Sequence, residues 1–250
     1  KTMKNKILLS LLFNSGFSYA DSIPGKNIPV ELLIQQAAEA KDSDIHESIR
    51  LLTIANRSKE IERKRAFKYT VLSHLSSYEL QSGDLKSAID FAYQALTVAE
   101  QLNDSKLIGE TEYQIGYIFK ELKVHLKAAS HFERSLIEFR KVKEIYSYFR
   151  SKSFVGHCLT DYGLENKNAW YLDKAKTIYQ SVLLEAKTKK REEYVLASNN
   201  NLSNLYLIYY QVRKGKDDLG ISREYARKVI ANSLALKDTL SYAVGLANYG

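Results

Sequence analysis

The chain has 250 residues, of which 45% are hydrophobic, and this apolar fraction is ample for a packed core. A single cysteine excludes an internal disulfide bond. The formal net charge of +8 raises the question of nucleic-acid binding. However, no basic run covers one helix face, and the two basic clusters, at 187–191 and 213–216, fall at predicted helix ends. We therefore expect a solvated, lysine-rich surface and no nucleic-acid partner.

The first residues have the pattern of a secretory signal peptide. A positively charged segment at 3–6 precedes a short apolar run at 7–13, and Ser18 and Ala20 supply small residues before a cleavage ahead of Asp21. The apolar run is too short to cross a bilayer as a mature helix. The alternative, an amphipathic first helix, is disfavoured because the run has no polar face.

These patterns divide the chain into three parts. We predict a signal peptide at 1–20, a short linker at 21–29 that holds both prolines, and a helical array at 30–250, where no proline interrupts the sequence. The signal implies an exported protein, in the periplasm or at the outer face of a bacterial inner membrane.

Small residues recur along the array in two series that keep one register. The first series is Ser76, Gly116, Gly156, Ser203 and Gly250, and the second is Ser48, Ala88, Ala128, Ala175 and Ser222. Both have spacings of 40, 40, 47 and 47 residues. Such series mark places where one helix lies tightly against another once per repeat, so they predict stacked helix pairs.

The step from 40 to 47 residues lies between the two helices of a pair. Gly116 and Ala128 are 12 residues apart, whereas Gly156 and Ala175 are 19 apart. The extra residues therefore form longer tips or longer helices on one edge. Trp170 lies beside the first of them, either as an exposed aromatic contact or, the interpretation that we favour, as a hydrophobic residue that caps the tip.

The best-formed repeat resembles a tetratricopeptide repeat (TPR). Its matching residues are Ile115, Gly116, Phe119, Ala128, Phe132 and Ser135. The family's usual period is 34 residues, so the shortest spacing here indicates the long-repeat branch, which includes input regions of bacterial sensor and regulator proteins. The resemblance implies an all-α fold, a right-handed α–α superhelix of antiparallel helix pairs. It also implies a function in binding proteins or peptides.

No residue pattern in the chain indicates catalysis or a cofactor. His46 and Glu47 begin like a zinc-binding helix but lack the second histidine. His157 and Asp161 share a helix face, yet no third group orients them, so a solvated pair is favoured over an acid–base dyad. Cys158 is expected to be a small buried residue and not a nucleophile. Scattered histidines give no metal-ligand spacing. We therefore expect no enzyme activity, no cofactor and no metal.

The remaining candidate site is the groove lined by the first helix of each pair. By the resemblance, its slots lie three residues before and one residue after each small residue. These slots and the cations one turn away give the predicted peptide-binding residues Tyr113, Tyr117, Lys120, Arg150, His157, Asn200 and Asn204. The asparagines suit a peptide backbone and the tyrosines its side chains. Ser73 and Ser77, where some TPR proteins have Lys and Asn, argue against a carboxylate clamp.

The function expected from this pattern is capture of a protein or peptide segment. The resemblance favours the extracytoplasmic sensory or scaffold region of a longer bacterial signalling protein. Gly250 falls within a predicted helix, so we expect the last repeat to be truncated, with a membrane tether in the part that follows. The alternative is a freestanding exported scaffold for envelope or secretion complexes.

Overall fold

The computed structural model describes residues 28–215 and 217–250. All regular secondary structure in these residues is α-helical, so the all-α prediction is confirmed. The predicted signal peptide and residues 21–27 of the predicted linker lie outside the described residues. In chain order the helices are α1 (Val30–Ala40), α2 (Ile45–Asn56), α3 (Lys59–Arg63), α4 (Arg65–Ser82), α5 (Leu85–Leu102), α6 (Ser105–Glu121), α7 (His125–Lys141), α8 (Ile145–Glu165), α9 (Ala169–Thr188), α10 (Glu192–Arg213), α11 (Asp218–Leu236) and α12 (Thr239–Tyr249).

Polar side chains start several of these helices. The Asp104 carboxylate accepts hydrogen bonds from the backbone N–H groups of Lys106 and Leu107, and the Asn168 side chain accepts one from Trp170. Each satisfies a donor that the first helical turn leaves unpaired. None of the helices formed by the described residues is long and apolar enough to cross a membrane.

Left-handed residues follow many of the helices, and most of these residues are lysines. Gly83, with φ of 92°, follows α4. Among the described residues, those other than glycine that have positive φ are Asn103, Lys123, Lys143, Lys167, Lys190, Lys214 and Lys237. A side chain in this conformation is less favourable than glycine, but a cation near a helix carboxyl end interacts well with the helix dipole.

The chain divides into two compact units, one up to Val98 and one from Ala99 to Gly250. In the first unit α1 packs on α2, and α2 packs on α4. Their core includes Leu52, Ala55 and Leu75, all fully enclosed. The hydroxyl of Ser48 donates a hydrogen bond to the Ala37 carbonyl at 2.8 Å, so this small residue lies at a close contact between α1 and α2.

In the second unit consecutive helices pack against each other from α6 to α12. Their connections are short, which makes neighbouring helices antiparallel. Helices α8 and α10 also contact each other directly, as do α10 and α12. Alternate helices therefore lie side by side, and α6, α8 and α10 present their side chains to a common face.

The small residues lie at close helix contacts, as predicted. A Cβ atom on Gly116 would lie 3.0 Å from the Phe132 ring and 3.2 Å from the Ala128 carbonyl oxygen. A Cβ atom on Gly156 would overlap the Tyr179 ring. Gly250, the last residue of the sequence, follows α12 and is exposed, and its packing slot stays a prediction.

The extra residues in the second unit lengthen helices. Helices α6 and α7 have 17 residues each, whereas α8 has 21 and α9 has 20. Trp170 follows the α8–α9 turn and is 55% exposed, with the Lys174 ammonium 3.7 Å from its ring centroid. Just over half of Trp170 faces solvent, which favours the exposed aromatic contact over the tip-capping role for this residue.

Candidate functional site

Three alternate helices of the second unit carry all seven predicted groove residues. Helix α6 supplies two tyrosines and a lysine, α8 supplies an arginine and a histidine, and α10 supplies two asparagines. Within each helix these residues are three, four or seven positions apart, so they share one helix face. We call this surface the groove.

The aromatic part of the groove is built around Phe154. Its ring meets the Tyr113 ring edge-on at a centroid distance of 5.6 Å and the Tyr117 ring at 6.1 Å. Tyr113 also packs edge-on against Phe132, at 5.2 Å. Burial raises the pKa of Tyr113 to about 12, although the Arg150 charge opposes the shift. Tyr113 therefore supports the helix packing as well as facing the groove, while Tyr117 is half-buried at the surface.

Two cations lie over the two tyrosine rings. The Arg150 guanidinium lies 4.6 Å from the Tyr113 centroid, and the Lys120 ammonium lies 5.6 Å from the Tyr117 centroid. Both distances fall within the range of cation–π attraction. Lys120 also lies 3.4 Å from the Glu121 carboxylate, whereas Arg150 is exposed.

A cavity of about 520 Å³ opens between α6, α8, α9 and α10. It brings together Lys120, His157 and Asn204 of the predicted set. Its remaining lining residues are Thr160, Asp161, Tyr179, Asn201, Leu205, Leu207, Ile208 and Gln211. Its volume is within the range of ligand sites, and its wall combines amides, two hydroxyls, charged groups and apolar side chains.

His157 is held between the cavity wall and aromatic rings. Its ring lies 5.4 Å from the Phe154 centroid and 5.8 Å from that of Tyr179. Burial lowers the pKa of His157, and this outweighs the opposing effects of the Asn201 hydrogen bond and the Asp161 charge. The imidazole is therefore neutral at neutral pH, where it can donate one hydrogen bond and accept another.

The two predicted asparagines share a partner on α12. The Asn248 amide nitrogen donates to the side-chain oxygen of Asn204 at 2.8 Å and to that of Asn200 at 3.3 Å. Within the part of the chain that the structure describes, no partner engages the amide nitrogens of these two asparagines, which are available as donors. Asn204 is exposed and reaches the cavity, whereas Asn200 does not line it.

Sequence reasoning missed most of the cavity lining and two residues beside it; the polar and aromatic ones that bear on binding are Phe154, Asp161, Asn201, Gln211 and Asn248. Asp161 was considered only as a partner of His157. Asp161 lies four residues after His157 and eleven after Arg150, and both spacings place it on the same helix face. This spacing could have identified Asp161 as a groove residue. Asn248 had no such signal, because its contact depends on how α12 packs against α10.

Chemically, the groove can bind but offers few groups for catalysis. Cys158 is fully buried on α8, and burial raises the pKa of its thiol to about 12. Its thiolate is therefore not accessible at neutral pH. In the part of the chain that the structure describes, no group of three or more histidine, cysteine and acidic residues could hold a metal ion.

No protein-family model matches the chain, and no curated protein matches it. Solved structures do. A kinesin light chain repeat protein of Podosopora anserina, described as putative and as having nearly identical TPR-like repeats, matches at a TM-score of 0.63 and 14% identity, over 84% of this chain and 97% of that chain.

Two further solved structures are similar to the chain. The apo form of RapI matches at a TM-score of 0.54 and 15% identity, over 98% of this chain and 86% of that one. NprR in complex with its cognate peptide NprX matches at a TM-score of 0.55 and 17% identity, over 100% of this chain and 67% of that one. The chain therefore has the fold of TPR-like repeat proteins.

Proposed function

We propose that this protein binds an extended peptide segment in the groove of its second unit. The observation that carries the proposal is the 520 Å³ cavity, whose wall presents amide side chains beside a neutral histidine and the Tyr179 ring. A peptide backbone offers one donor and one acceptor per residue, and amide side chains can satisfy both.

Each part of the groove has a distinct task in this proposal. Asn204 and Asn201 hold the ligand backbone at the cavity. Tyr117 offers a rigid, amphipathic surface for a ligand side chain. Arg150 takes an acidic group, since its planar guanidinium pairs well with carboxylates. The oxygens of Asn200 and Asn204 are occupied by Asn248, so a ligand meets their amide nitrogens first.

The similarity to NprR supports the class of ligand. The NprR structure is described as a complex with a cognate peptide, and it aligns with the whole of this chain. At 17% identity this similarity supports only the fold. The proposal that the ligand is a peptide depends on the side chains that line the groove of this chain. The function proposed is binding and not catalysis.

Two alanine variants test the groove. Full-length protein would be screened against a random octapeptide library, and the affinity of the recovered peptides measured by titration. We expect Tyr117→Ala and Asn204→Ala each to weaken binding by about 1–3 kcal/mol, as for interface anchors. The matched control is Lys141→Ala, an exposed residue of α7 outside the groove. Weakening by the control but not by the groove variants would overturn the assignment.

The cellular role proposed is that of an exported sensory or scaffold region of a longer bacterial signalling protein. The support is the signal-like sequence before Asp21 and the resemblance to sensor input regions. Amino-terminal sequencing of protein expressed with its own leader tests export, with Asp21 expected as the first residue. A cytosolic product that retains Met3 would contradict it. A freestanding exported scaffold remains the alternative, and the reading frame beyond Gly250 would distinguish the two.

A further inference from the structure

Asp161 is a charged group on the groove that has no oppositely charged partner among the described residues. It lies on α8 and lines both the 520 Å³ cavity and a neighbouring one of about 290 Å³. Within residues 28–215 and 217–250, no hydrogen bond or ion pair engages its carboxylate. Carboxylates left unpaired at the wall of a cavity favour the binding of a cation.

The other charged groups near Asp161 are largely engaged with each other. Lys120 lies 3.4 Å from the Glu121 carboxylate, and Glu165 adds a further carboxylate at the smaller cavity. Lys123 is exposed at the rim. The interior of the cavity adds neutral donors and acceptors. The end of the groove at Asp161 is therefore suited to a positively charged ligand group.

The opposite end of the same helix face carries the opposite charge. Arg150 is exposed and lies over the Tyr113 ring, and it forms no ion pair with a carboxylate among the described residues. Arg150 and Asp161 are 11 residues apart, which is close to three full helical turns and about 16 Å along the axis. An extended peptide covers that distance in about five residues, at about 3.3 Å each.

We propose that the groove selects a peptide with two opposite charges and a fixed direction. A ligand ammonium or guanidinium group pairs with Asp161, and an acidic group about five residues away pairs with Arg150. The inference rests on the proposed peptide-binding function, and it adds the charge, spacing and orientation of the ligand. The positive group is either the peptide amino terminus or a lysine or arginine side chain.

The experiment is a selection from a random octapeptide library on full-length protein, with isosteric variants at each end. Wild-type protein should enrich peptides that have a cationic and an acidic group about five residues apart, in one order along the chain. Asp161→Asn should bind the enriched peptides about three- to tenfold more weakly and should no longer select the cation. Arg150→Gln should lose the acidic preference and keep the cationic one. Acetylation of the peptide amino terminus distinguishes the two sources of positive charge.

The outcomes separate this inference from the proposed function. Peptides that depend on Tyr117 and Asn204, but whose charge pattern is the same with wild type and Asp161→Asn, would overturn the inference and leave peptide binding intact. Recovery of no peptide, or of peptides that bind the groove variants equally well, would overturn both. A double charge swap, Asp161→Lys with Arg150→Glu, should select peptides of reversed direction, and unchanged direction would contradict the pairing.

Discussion

Ser203 and Ser222 exchange hydrogen bonds across the contact between α10 and α11. The Ser203 hydroxyl donates to the Ser222 carbonyl at 3.0 Å, and the Ser222 hydroxyl donates to the Ser203 carbonyl at 2.9 Å. Both residues are fully buried. Each buried hydroxyl therefore has a hydrogen-bond acceptor on the backbone of the facing helix. This allows serine to occupy the positions that Gly116 and Ala128 occupy in the earlier repeat, where the helices meet through van der Waals contact.

Close packing at Gly156 predicts a large penalty for even one methyl group. Gly156→Ala places its Cβ into the Tyr179 ring, so we expect a loss of about 1–3 kcal/mol in the free energy of unfolding. The matched control is Gly220→Ala on α11, where a Cβ atom meets nothing within 4 Å. That change should be neutral or stabilising by up to about 1 kcal/mol. Urea denaturation of the Gly156→Ala and Gly220→Ala variants tests this. Equal free energies of unfolding would contradict the close helix contact at Gly156.

The ion pair between Lys152 on α8 and Glu185 on α9 predicts coupling between these helices. Lys152 is largely buried and also donates to the Ser181 hydroxyl at 2.7 Å, while the Tyr148 hydroxyl donates to Glu185 at 2.9 Å. Burial raises the pKa of Glu185, but the hydrogen bonds from Lys152, Tyr148 and Ser181 outweigh it and hold the pKa below its usual value. Lys152→Met should cost about 1–3 kcal/mol, because Glu185 then loses its main partner.

Two further variants complete that measurement. The double change Lys152→Met and Glu185→Leu should recover much of the loss, since it removes both charges together. Lys228→Met on α11 breaks the exposed pair with Glu224 and should cost less than about 1 kcal/mol. Additive losses in the double variant would show that the two side chains are not coupled.

The environment of His157 predicts a loss of stability in mild acid. Burial lowers the pKa of His157 in the folded protein, so the unfolded chain takes up a proton first as the pH falls through about 6.5. The unfolded state then binds more protons, and the free energy of unfolding decreases in that window. His157→Gln should show a smaller decrease between pH 7.5 and 5.5 than wild type does, measured by urea denaturation. Equal decreases in wild type and His157→Gln would show that burial of His157 does not cause the loss of stability in acid.

The burial of Cys158 predicts a protected thiol. The side chain is fully enclosed, and burial raises the pKa of the thiol to about 12, so both access and thiolate formation are suppressed. A thiol-specific reagent should modify denatured protein rapidly and native protein only as fast as the helix contacts open. Lys141→Cys in a Cys158→Ala background supplies an exposed thiol, which should react at once. Equal rates for the two native thiols would show that Cys158 is accessible.

The helix pairs could be predicted from sequence because small residues have one strong physical reason to recur. Gly116 and Gly156 leave room for a facing helix, and their spacing along the chain therefore records the repeat. Helix lengths were harder to predict from sequence, because extra residues between paired helices can lengthen either the turn or the helices. Here they extended α8 and α9.

Only part of the groove lining could be predicted from sequence. Counting three residues before and one after each small residue finds the helix face, but it does not account for how far each side chain extends. Tyr117 and His157 lie on the expected face. Phe154 lies two residues before a small-residue slot, a position the rule does not select, yet its ring is long enough to reach both α6 tyrosines. Asn248 escaped prediction because its hydrogen bonds join residues 44 and 48 positions apart in the sequence.

The lysines in left-handed conformation give the second unit a charge pattern of its own. Lys123, Lys167 and Lys214 follow α6, α8 and α10, and Lys143, Lys190 and Lys237 follow α7, α9 and α11. Because successive helices are antiparallel, these lysines form two rows of positive charge on opposite edges, one residue per helix pair in each row. Acidic residues stand close to these lysines, for example Glu144 beside Lys143 and Asp238 beside Lys237, so each edge presents alternating charge to the solvent.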